Sequence, residues 1–277
     1  MRFELHCHST CSDGTETADT VADRATARAV EIFALTDHDT CAGTDTTRSR
    51  QTATLRALRA VEISCDEPIT GRTLHVLAYD RGHAGWADLE HKLGDLRLAR
   101  RNRMRVMAAK LAQRGIRIDV EPLIADAESS GRTLGRPDLA RLMVKHGAVT
   151  SLKEAFSRHL YDGGPVDVPH HALGLADALA LGRAANAAMS LAHPHLYDHL
   201  GVRLLRDFAK EGLAGVEAYY AAYAPAERQR WLGLAAELGL VATAGSDWHG
   251  PDDAVAPIGV DIPDDAGKRL RDWLLDA

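Results

Sequence analysis

The sequence predicts an α/β fold in which short strands alternate with helices, as a parallel barrel or an open sheet. Seven short apolar runs are separated mostly by stretches of helical periodicity. Most of these runs carry an ionisable residue at or near the C-terminal end, where α/β barrels build their active sites. The chain has 277 residues, of which 45% are hydrophobic, so it is long enough for a full core and is not a disordered chain.

In the first half, residues 3–8 alternate apolar and polar side chains, which predicts a strand with Glu4, His6 and His8 on one face. A turn at Ser12-Asp13-Gly14 and a helix over residues 16–30 follow. The next strands are predicted at residues 32–35, 58–63 and 74–79.

In the second half, strands are predicted at residues 188–192, 215–219 and 240–244, with a helix over residues 225–238. Residues 89–170 lack this alternation and predict a helical insertion, which divides the α/β unit into residues 1–88 and 171–277.

Composition excludes several classes of protein. No apolar run approaches the ~18 residues of a membrane span. The formal charge of −6 argues against a general nucleic-acid coat protein. The four cysteines form no CxxC pair, and their spacing fits no zinc ribbon or finger, so we expect free thiols and a cytoplasmic location. The oligomeric state stays open.

Histidines and carboxylates at the predicted strand ends indicate a metal centre. His6 and His8 point the same way from one strand, so both imidazoles can bind one ion. The other candidates are Asp13, Asp37, His38, Glu62, His75, His193, Asp247 and His249. They are too many for one ion, which predicts two or three divalent ions sharing a carboxylate. Nitrogen and oxygen ligands suit Mn²⁺, Zn²⁺ or Fe²⁺.

Metal ions grouped in this way activate water and neutralise phosphoryl oxygens, so the first functional hypothesis is hydrolysis of a phosphate ester. The enzymatic alternative is an amidohydrolase-like barrel, which also begins with an HxH pair and often uses a carbamylated strand lysine as the bridging ligand. All six lysines of this chain lie outside the predicted strands, whereas Glu62 lies in one. This difference favours the phosphoesterase.

The candidate ligands lie in a series of short motifs, namely His6-x-His8, Ser12-Asp13-Gly14, Thr36-Asp37-His38-Asp39, Val61-Glu62-Ile63-Ser64, His75-Val76, Ala192-His193-Pro194 and Ser246-Asp247-x-His249. In these motifs and their order the chain resembles the polymerase-and-histidinol-phosphatase (PHP) family of metal-dependent phosphoesterases. The resemblance implies a distorted seven-stranded (β/α) barrel with up to three ions, usually manganese, iron or zinc.

The resemblance also implies which residues hold each ion. One ion would be bound by His6, His8, Glu62 and Asp247. Glu62 would bridge to a second ion on His75 and His193. A third ion would be bound by Asp13, His38 and His249.

Within the family, the insertion resembles that of a subgroup that dephosphorylates nucleoside 3′,5′-bisphosphates or trims RNA from its 5′ end. The subgroup's helix motif is matched by Arg100, Arg103, Met107, Leu111 and Gly115, and a second motif by Gly135, Arg136 and Pro137. The chain departs from the subgroup at Asp138, where histidine is expected, and at Gly163-Gly164-Pro165, where a Lys-Pro pair is expected.

The charge of the insertion also favours an anionic substrate. Between His91 and Arg117 lie nine Lys or Arg residues and one acidic residue. A solvated helix face is the alternative for most of them, but Arg100 and Arg103 are predicted to clamp a phosphate. The predicted substrate is a small nucleotide or a short RNA.

The remaining roles are assigned individually. Asp13, His38, Arg136 and Pro137 are predicted to contact the substrate as well. Arg136 would also hold the reacting phosphate, and His195 is the candidate general acid. Asp37, Glu4 and Glu217 are predicted to support ligands, with Asp37 alternatively touching the attacking water. His170 and His171 stay unassigned.

Three alternatives to a bisphosphate phosphatase stay open. The first is a 5′-to-3′ exoribonuclease that acts on short RNA. The second is histidinol-phosphate phosphatase, whose cationic substrate would gain nothing from the basic insertion. The third is a non-catalytic nucleotide or nucleic-acid binding module on the same scaffold, which would be expected to lack several ligand positions.

Overall fold

The computed structural model describes residues 1–82, 85–170, 172–252 and 256–275, which form a mixed α/β fold. The strands are β1 (Arg2–Glu4), β2 (Ile32–Ala34), β3 (Arg56–Leu58), β4 (Ala60–Asp66), β5 (Thr73–Tyr79), β6 (Leu173–Gly174), β7 (Ala188–Leu191), β8 (Leu213–Tyr220), β9 (Val241–Gly245) and β10 (Val260–Asp261).

The α-helices of the described residues lie mostly between these strands. They are α1 (Ala18–Ala27), α2 (Thr44–Ser49), α3 (Trp86–Gln113), α4 (Glu121–Ser130), α5 (Arg136–Lys145), α6 (Leu152–Ala155), α7 (Leu175–Ala184), α8 (His199–Phe208), α9 (Pro225–Leu238) and α10 (Asp264–Leu275). Among the described residues, every helix is too short or too polar to span a membrane.

The strands form two sheets rather than the single closed barrel of seven strands that was expected. One sheet has the order β10-β1-β2-β3, and the other has the order β6-β4-β5-β7-β8-β9. The strand predicted at residues 58–63 is divided at Arg59, so β3 joins the first sheet and β4 the second. The mixed α/β class with parallel pairing is confirmed, whereas closure of the barrel is not.

Short pairings nevertheless connect the two sheets on both sides. Leu5 N donates to Ala244 O at 3.0 Å, and Cys7 pairs with Trp248 beside it. On the other side, His38 pairs with Glu62. The residues that follow β1, β2 and β9 are therefore brought next to β4.

β5 runs antiparallel to both of its neighbours, β4 and β7. Only residues 67–72 join β4 to β5, and a parallel connection needs about a dozen residues or more. The hairpin pairs His75, near the start of β5, with Ser64 on β4. A residue at the beginning of a strand therefore lies at the same edge as residues that follow the parallel strands.

The long helix α3 packs into two separate hydrophobic cores. Its first half places Trp86, Leu89, Leu93 and Leu96 in the core of the larger sheet. Its second half packs instead against α4, α5 and the segments that follow, where its buried residues are Met104, Met107, Ala108 and Leu111. The change of core occurs between Leu96 and Met104, inside the helix. The insertion predicted at residues 89–170 therefore shares its first helix with the α/β unit.

Candidate metal centre and cleft

The structure brings together all nine residues that were predicted as metal ligands. Each comes from a strand or from the residues that follow it, so the sheet order decides which side chains meet. Glu62 of β4 is fully buried at the centre. Five imidazoles surround its carboxylate, at 3.3 Å for His6, 3.2 Å for His8, 2.9 Å for His38, 3.1 Å for His75 and 3.0 Å for His193.

Asp247 and Asp13 complete the cluster. Asp247 Oδ1 lies 3.2 Å from His6 Nε2 and 3.3 Å from His8 Nε2. Asp13 lies 3.4 Å from His249 Nε2, 3.6 Å from His8 Nδ1 and 3.7 Å from His38 Nε2. We call these nine residues the ligand cluster.

Four subsets of the ligand cluster offer ligand atoms close enough to share an ion. These subsets are His8–Asp13–His38–His249, His6–Glu62–His193, His6–His8–Asp247 and His38–Glu62–His75. The first contains the predicted third set together with His8. The other three subsets differ from the ligand sets predicted for the first and second ions, because Glu62 lies close to His38 as well as to His6. Assignment of residues to individual ions stays a prediction.

The hydrogen bonding of the cluster indicates that a metal fits. Five of its buried polar atoms have no hydrogen-bond partner among the described residues, namely His6 Nε2, His8 Nε2, Asp13 Oδ1, His38 Nδ1 and Glu62 Oε2. Buried polar atoms are normally paired, so a group of orphaned ligand atoms facing one another needs another binding partner. A mixed nitrogen and oxygen set suits divalent ions such as Mn²⁺, Fe²⁺ or Zn²⁺.

A second layer of carboxylates orients the cluster, as predicted for Glu4, Glu217 and Asp37. Glu217 contacts His6 Nδ1 at 2.9 Å and accepts from the backbone N–H of His193 at 2.7 Å. Glu4 accepts from the backbone N–H groups of His6 and Ser246. These bonds fix ring orientation and tautomer, which tunes metal affinity in such sites.

Asp37 follows β2 and is buried, with hydrogen bonds to the loop that follows β1. It accepts from Ser9 N at 2.8 Å and from Ser12 Oγ at 2.5 Å, and Ser12 Oγ lies 3.3 Å from His8 Nδ1. These contacts are those expected of a residue that supports a ligand. The alternative role of Asp37, contact with the attacking water, stays a prediction.

The backbone is unusual where two of the cluster residues leave their strands. His193 and Asp247 have φ angles of 29° and 54°, a region that residues other than glycine rarely adopt. Such conformations cost about 1–3 kcal/mol each and persist at sites that the surrounding structure enforces. Glu217 holds the N–H of His193, and His6 O accepts from Asp247 N at 2.7 Å.

Gly245, two residues before Asp247, permits the close approach of β9 to the residues that follow β1. A Cβ atom at Gly245 would lie 2.4 Å from the Cβ of His6 and 2.7 Å from Glu217 Oε1. Any larger residue would displace both the histidine and the carboxylate that orients it.

The electrostatics of the cluster favour bound positive charge. Burial by itself would raise the pKa of Glu62, but the neighbouring imidazoles of His38, His75 and His6 hold it well below the usual range. Burial would lower the pKa of His8, yet its contacts with Asp247 and Glu62 raise that pKa to about 10. The three carboxylates therefore stay ionised and attract either protons on the histidines or cations.

Seven residues of the ligand cluster, all except His6 and His8, line the floor of a cleft of about 680 Å³. The facing wall contains Arg100, Arg103, Gly135, Arg136 and Pro137, all predicted from the family motifs. Burial lowers the pKa of Arg103, and the charges of Arg136 and Arg100 lower it further. These three guanidinium groups therefore concentrate positive charge above the carboxylate-rich floor.

The wall arginines differ in how far the protein already uses them. Arg103 Nε donates to Val168 O at 2.7 Å, and Nη2 lies 3.5 Å from Asp167. Arg136 Nη1 donates to Leu160 O at 3.1 Å and to Asp162 at 2.5 Å. Each keeps part of its donor set for a ligand.

Arg100, by contrast, has a structural function in addition to lining the cleft. Its Nε donates to Asp39 at 2.8 Å, Nη1 to Leu134 O at 3.2 Å and Nη2 to Ser64 Oγ at 2.8 Å. All three of its nitrogens are engaged, so the Arg100–Arg103 phosphate clamp stays a prediction that the geometry supports better for Arg103.

His195 lies beside the cleft rather than in it. It is not among the described residues that line the cleft, and its Nδ1 lies 3.0 Å from the hydroxyl of Tyr223. Its ring also packs against Tyr220. Its role as general acid stays a prediction.

Sequence reasoning missed several residues of the cleft. Arg72 and Tyr197 line it, and the Tyr197 hydroxyl lies 3.2 Å from His193 Nδ1 and accepts from His75 N at 2.9 Å. The sequence signal that could have found Tyr197 is its position four residues after the candidate ligand His193. His170 lines the cleft too, and neither of its ring nitrogens has a hydrogen-bond partner among the described residues. His171 lies outside the described residues.

The two departures from the subgroup motifs have different locations. Asp138 does not belong to the described cleft lining but is buried at the start of α5, where it accepts from Gly135 N at 2.8 Å. Gly163, Gly164 and Pro165 lie between Asp162 and Asp167, which do line the cleft. The second departure therefore borders the cleft, and the first does not.

Known proteins resemble the chain over nearly its whole length, although no family model matches it. It is 32% identical over 262 residues to the 3′,5′-nucleoside bisphosphate phosphatase of Chromobacterium violaceum, covering 93% of this chain and 90% of that protein. It is 31% identical over 258 residues to the 5′-3′ exoribonuclease of Haemophilus influenzae, covering 90% of both.

A solved structure agrees with these matches. The protein from Bifidobacterium adolescentis, named provisionally as a metal-dependent phosphoesterase, superposes with a TM-score of 0.81 and 26% identity. The superposition covers 99% of this chain and 96% of the other. The likeness therefore extends beyond the cleft to the complete arrangement of strands and insertion.

Removal of the Glu62 carboxylate is expected to reduce metal content sharply. After reconstitution with Mn²⁺, elemental analysis should find more than one ion per wild-type chain and fewer in Glu62→Ala, because Glu62 lies in two of the ion-sharing subsets. Glu67→Ala is the control, since Glu67 is also buried but pairs with Arg203 instead. At most one ion in the wild type would contradict a multinuclear centre.

Metal binding should also release protons. The raised pKa of His8, about 10, keeps that imidazole protonated at neutral pH in the metal-free protein. A histidine ligates only when neutral, so apparent affinity for Mn²⁺ should rise with pH up to that pKa. Calorimetric titrations in two buffers of different ionisation enthalpy should show net proton release, and less in His8→Gln. An identical enthalpy in both buffers would refute this assignment.

Proposed function

The chain belongs to the PHP family of metal-dependent phosphoesterases and is a phosphoric ester hydrolase, and from this membership we propose that it removes the 3′-phosphate from nucleoside 3′,5′-bisphosphates. One observation carries this choice of substrate. A single cleft is lined by seven residues of the ligand cluster on its floor and by the arginines of its wall. A bisphosphate has one phosphate that can bind at the ligand cluster and a second that can bind to the arginines of the wall.

The ligand cluster would hold two or three divalent ions, with manganese first and iron or zinc as alternatives. Ions bound there supply positive charge for the phosphoryl oxygens and lower the pKa of a water molecule. Support comes from the orphaned ligand atoms of the floor and from the three ionised carboxylates around them.

The protein's own residues position the substrate between floor and wall. Arg136 would hold the non-bridging oxygens of the reacting phosphate, where charge develops. Arg103 would hold the second phosphate, because it lines the cleft from α3, which carries no residue of the ligand cluster. Asp162 lies 2.5 Å from Arg136 and is highly exposed, so it can move aside when a phosphate replaces it.

A 5′-to-3′ exoribonuclease is the second candidate function, favoured by the similarity to the Haemophilus influenzae enzyme. The same floor and wall would then receive the 5′ end of an RNA. Histidinol phosphate is disfavoured, since its cationic end would meet the arginines of the wall. A non-catalytic module is disfavoured because the described residues include every predicted ligand.

The pairings between the sheets support the finer description of the fold. We infer that the two sheets act as one distorted barrel, because Leu5–Ala244 joins them on one side and His38–Glu62 on the other. In this arrangement the ligand cluster lies at one mouth of the barrel, as in other α/β barrel enzymes.

A phosphate-release screen tests the proposed function. Enzyme reconstituted with Mn²⁺ should release phosphate fastest from a nucleoside 3′,5′-bisphosphate and leave the nucleoside 5′-monophosphate. Short 5′-phosphorylated RNA and histidinol phosphate are assayed on the same preparation. Faster production of mononucleotides from the RNA would replace the bisphosphate with RNA as substrate, and faster hydrolysis of histidinol phosphate would reject both.

The variant Arg103→Ala should distinguish the role of the second phosphate from that of the reacting phosphate. A charge-assisted hydrogen bond contributes roughly 1.5–3 kcal/mol, so kcat/KM for the bisphosphate should fall by about one to two powers of ten. Turnover of a small monophosphate ester should change little, since it has no second phosphate to anchor. Arg101→Ala is the matched control, because Arg101 lies on the same helix and pairs with Glu128 at 3.5 Å. Equal losses on both substrates would contradict the anchoring role.

A further inference from the structure

The insertion holds the loop that carries Asp13 by its backbone. All four carbonyl groups of residues 10–13 accept hydrogen bonds from residues 132–141. The bonds run from Arg132 Nε to Thr10 O at 3.1 Å, from Thr133 N to Cys11 O at 2.9 Å, from Arg132 Nη2 to Ser12 O at 3.5 Å and from Arg141 Nη2 to Asp13 O at 2.7 Å. A surface loop normally leaves part of these acceptors to water.

One buried carboxylate orients both arginines. Asp138 Oδ1 accepts from Arg132 Nη2 at 2.7 Å and lies 3.6 Å from Arg141 Nη1. Its other oxygen accepts from Gly135 N at the start of α5. The side chains of Asp138 and Arg132 are only 4% and 15% exposed, so their ion pair is shielded from solvent, and the more exposed Arg141 lies beside the same carboxylate.

The carboxylate of Asp13 is not fixed by strong bonds of its own. Its oxygens lie 3.4 Å or more from the nearest imidazoles, and Oδ1 has no hydrogen-bond partner among the described residues. Its position therefore depends on the backbone of residues 10–13. That backbone is held by Arg132, Thr133 and Arg141.

The insertion also holds the loop that carries His38. Arg97 Nη1 donates to Asp39 O at 2.9 Å, and Arg100 Nε donates to the Asp39 carboxylate at 2.8 Å. Thr40 Oγ1 donates to Gly131 O at 2.7 Å. Asp13 and His38 belong to one ion-sharing subset, His8–Asp13–His38–His249, so the insertion contacts two of the three loops that build it.

We propose that Asp138 is a positioning residue which, through Arg132 and Arg141, places Asp13 and sets the metal affinity of the His8–Asp13–His38–His249 subset. This inference rests on the metal centre of the proposed function. The subsets His6–Glu62–His193 and His6–His8–Asp247 contain residues of the strands and their C-terminal ends, without Asp13 or His38. Loss of Asp138 therefore weakens one ion and spares those that these subsets bind.

The test counts ions and measures their affinity without any substrate. Metal-free wild type and Asp138→Asn are titrated with Mn²⁺, free Mn²⁺ is followed by electron paramagnetic resonance, and bound metal is counted by elemental analysis. Removal of a group that orients a ligand typically weakens metal affinity about 10–100-fold. We expect that loss for one equivalent, with the remaining equivalents bound as in the wild type.

Glu128→Gln is the matched control. It removes the same charge from the same insertion, but Glu128 is exposed and its ion pair is with Arg101 on α3. This variant should bind Mn²⁺ like the wild type. A loss equal to that of Asp138→Asn would show a general effect of charge and overturn the proposal.

Arg141→Ala covers the case in which Asp138→Asn fails to fold. It removes the donor to Asp13 O and leaves the bonds of Asp138 to Gly135 and Arg132 in place. The same single equivalent should be weakened, with a melting temperature close to that of the wild type. Loss of every equivalent in this variant would overturn the proposal, as would unchanged binding.

The outcomes separate this inference from the proposed function. A wild-type protein that takes up no Mn²⁺ would remove the metal centre and this proposal with it. A wild-type protein that binds several ions, next to an Asp138→Asn variant that binds them equally well, would overturn only the role of Asp138.

Discussion

The burial of one carboxylate, Glu62, is the constraint on which the site depends. An ionised carboxylate in a dry interior is unstable unless positive or hydrogen-bonding partners surround it. Strand β4 places Glu62 where five imidazoles from four other segments converge on it. The sheets must therefore pack closely enough to bring these segments together. The packing of the two sheets therefore stabilises the ionised carboxylate of Glu62, and this carboxylate is the centre of the ligand cluster.

Two parts of the structure, the α/β unit and the insertion, hold the ligand cluster in place. Glu217 and Glu4 fix the strand residues from below, with backbone and ring hydrogen bonds inside the α/β unit. The insertion donates hydrogen bonds to the loops that carry His38 and Asp13, in addition to those that β4 makes with the first of these loops. Many of its basic residues have this structural function, and fewer are available for a ligand than the high positive charge of the segment indicates.

The sequence predicted most of the site and part of the fold. Side chains such as His6, Glu62 and Asp247 were predictable because each belongs to an apolar run or follows one directly. The antiparallel course of β5 was not recognised, although the short connection after Asp66 required it. The division into two sheets and the pairing of Arg100 with Asp39 were beyond prediction, because both depend on tertiary contacts between distant segments. Local patterns therefore predicted which side chains meet in the ligand cluster better than they predicted the contacts of each arginine.

Because α3 is continuous, it fixes the distance between its arginines in the wall of the cleft and the ligand cluster. The helix has 28 residues and is therefore about 42 Å long, and its two halves are anchored in different cores. Arg103 lies within this change of core, between Leu96 and Met104, so its distance from Glu62 is set by a continuous helix and not by a hinged cover. Under the proposed function, we expect the cleft to select substrates by the distance between their two phosphates.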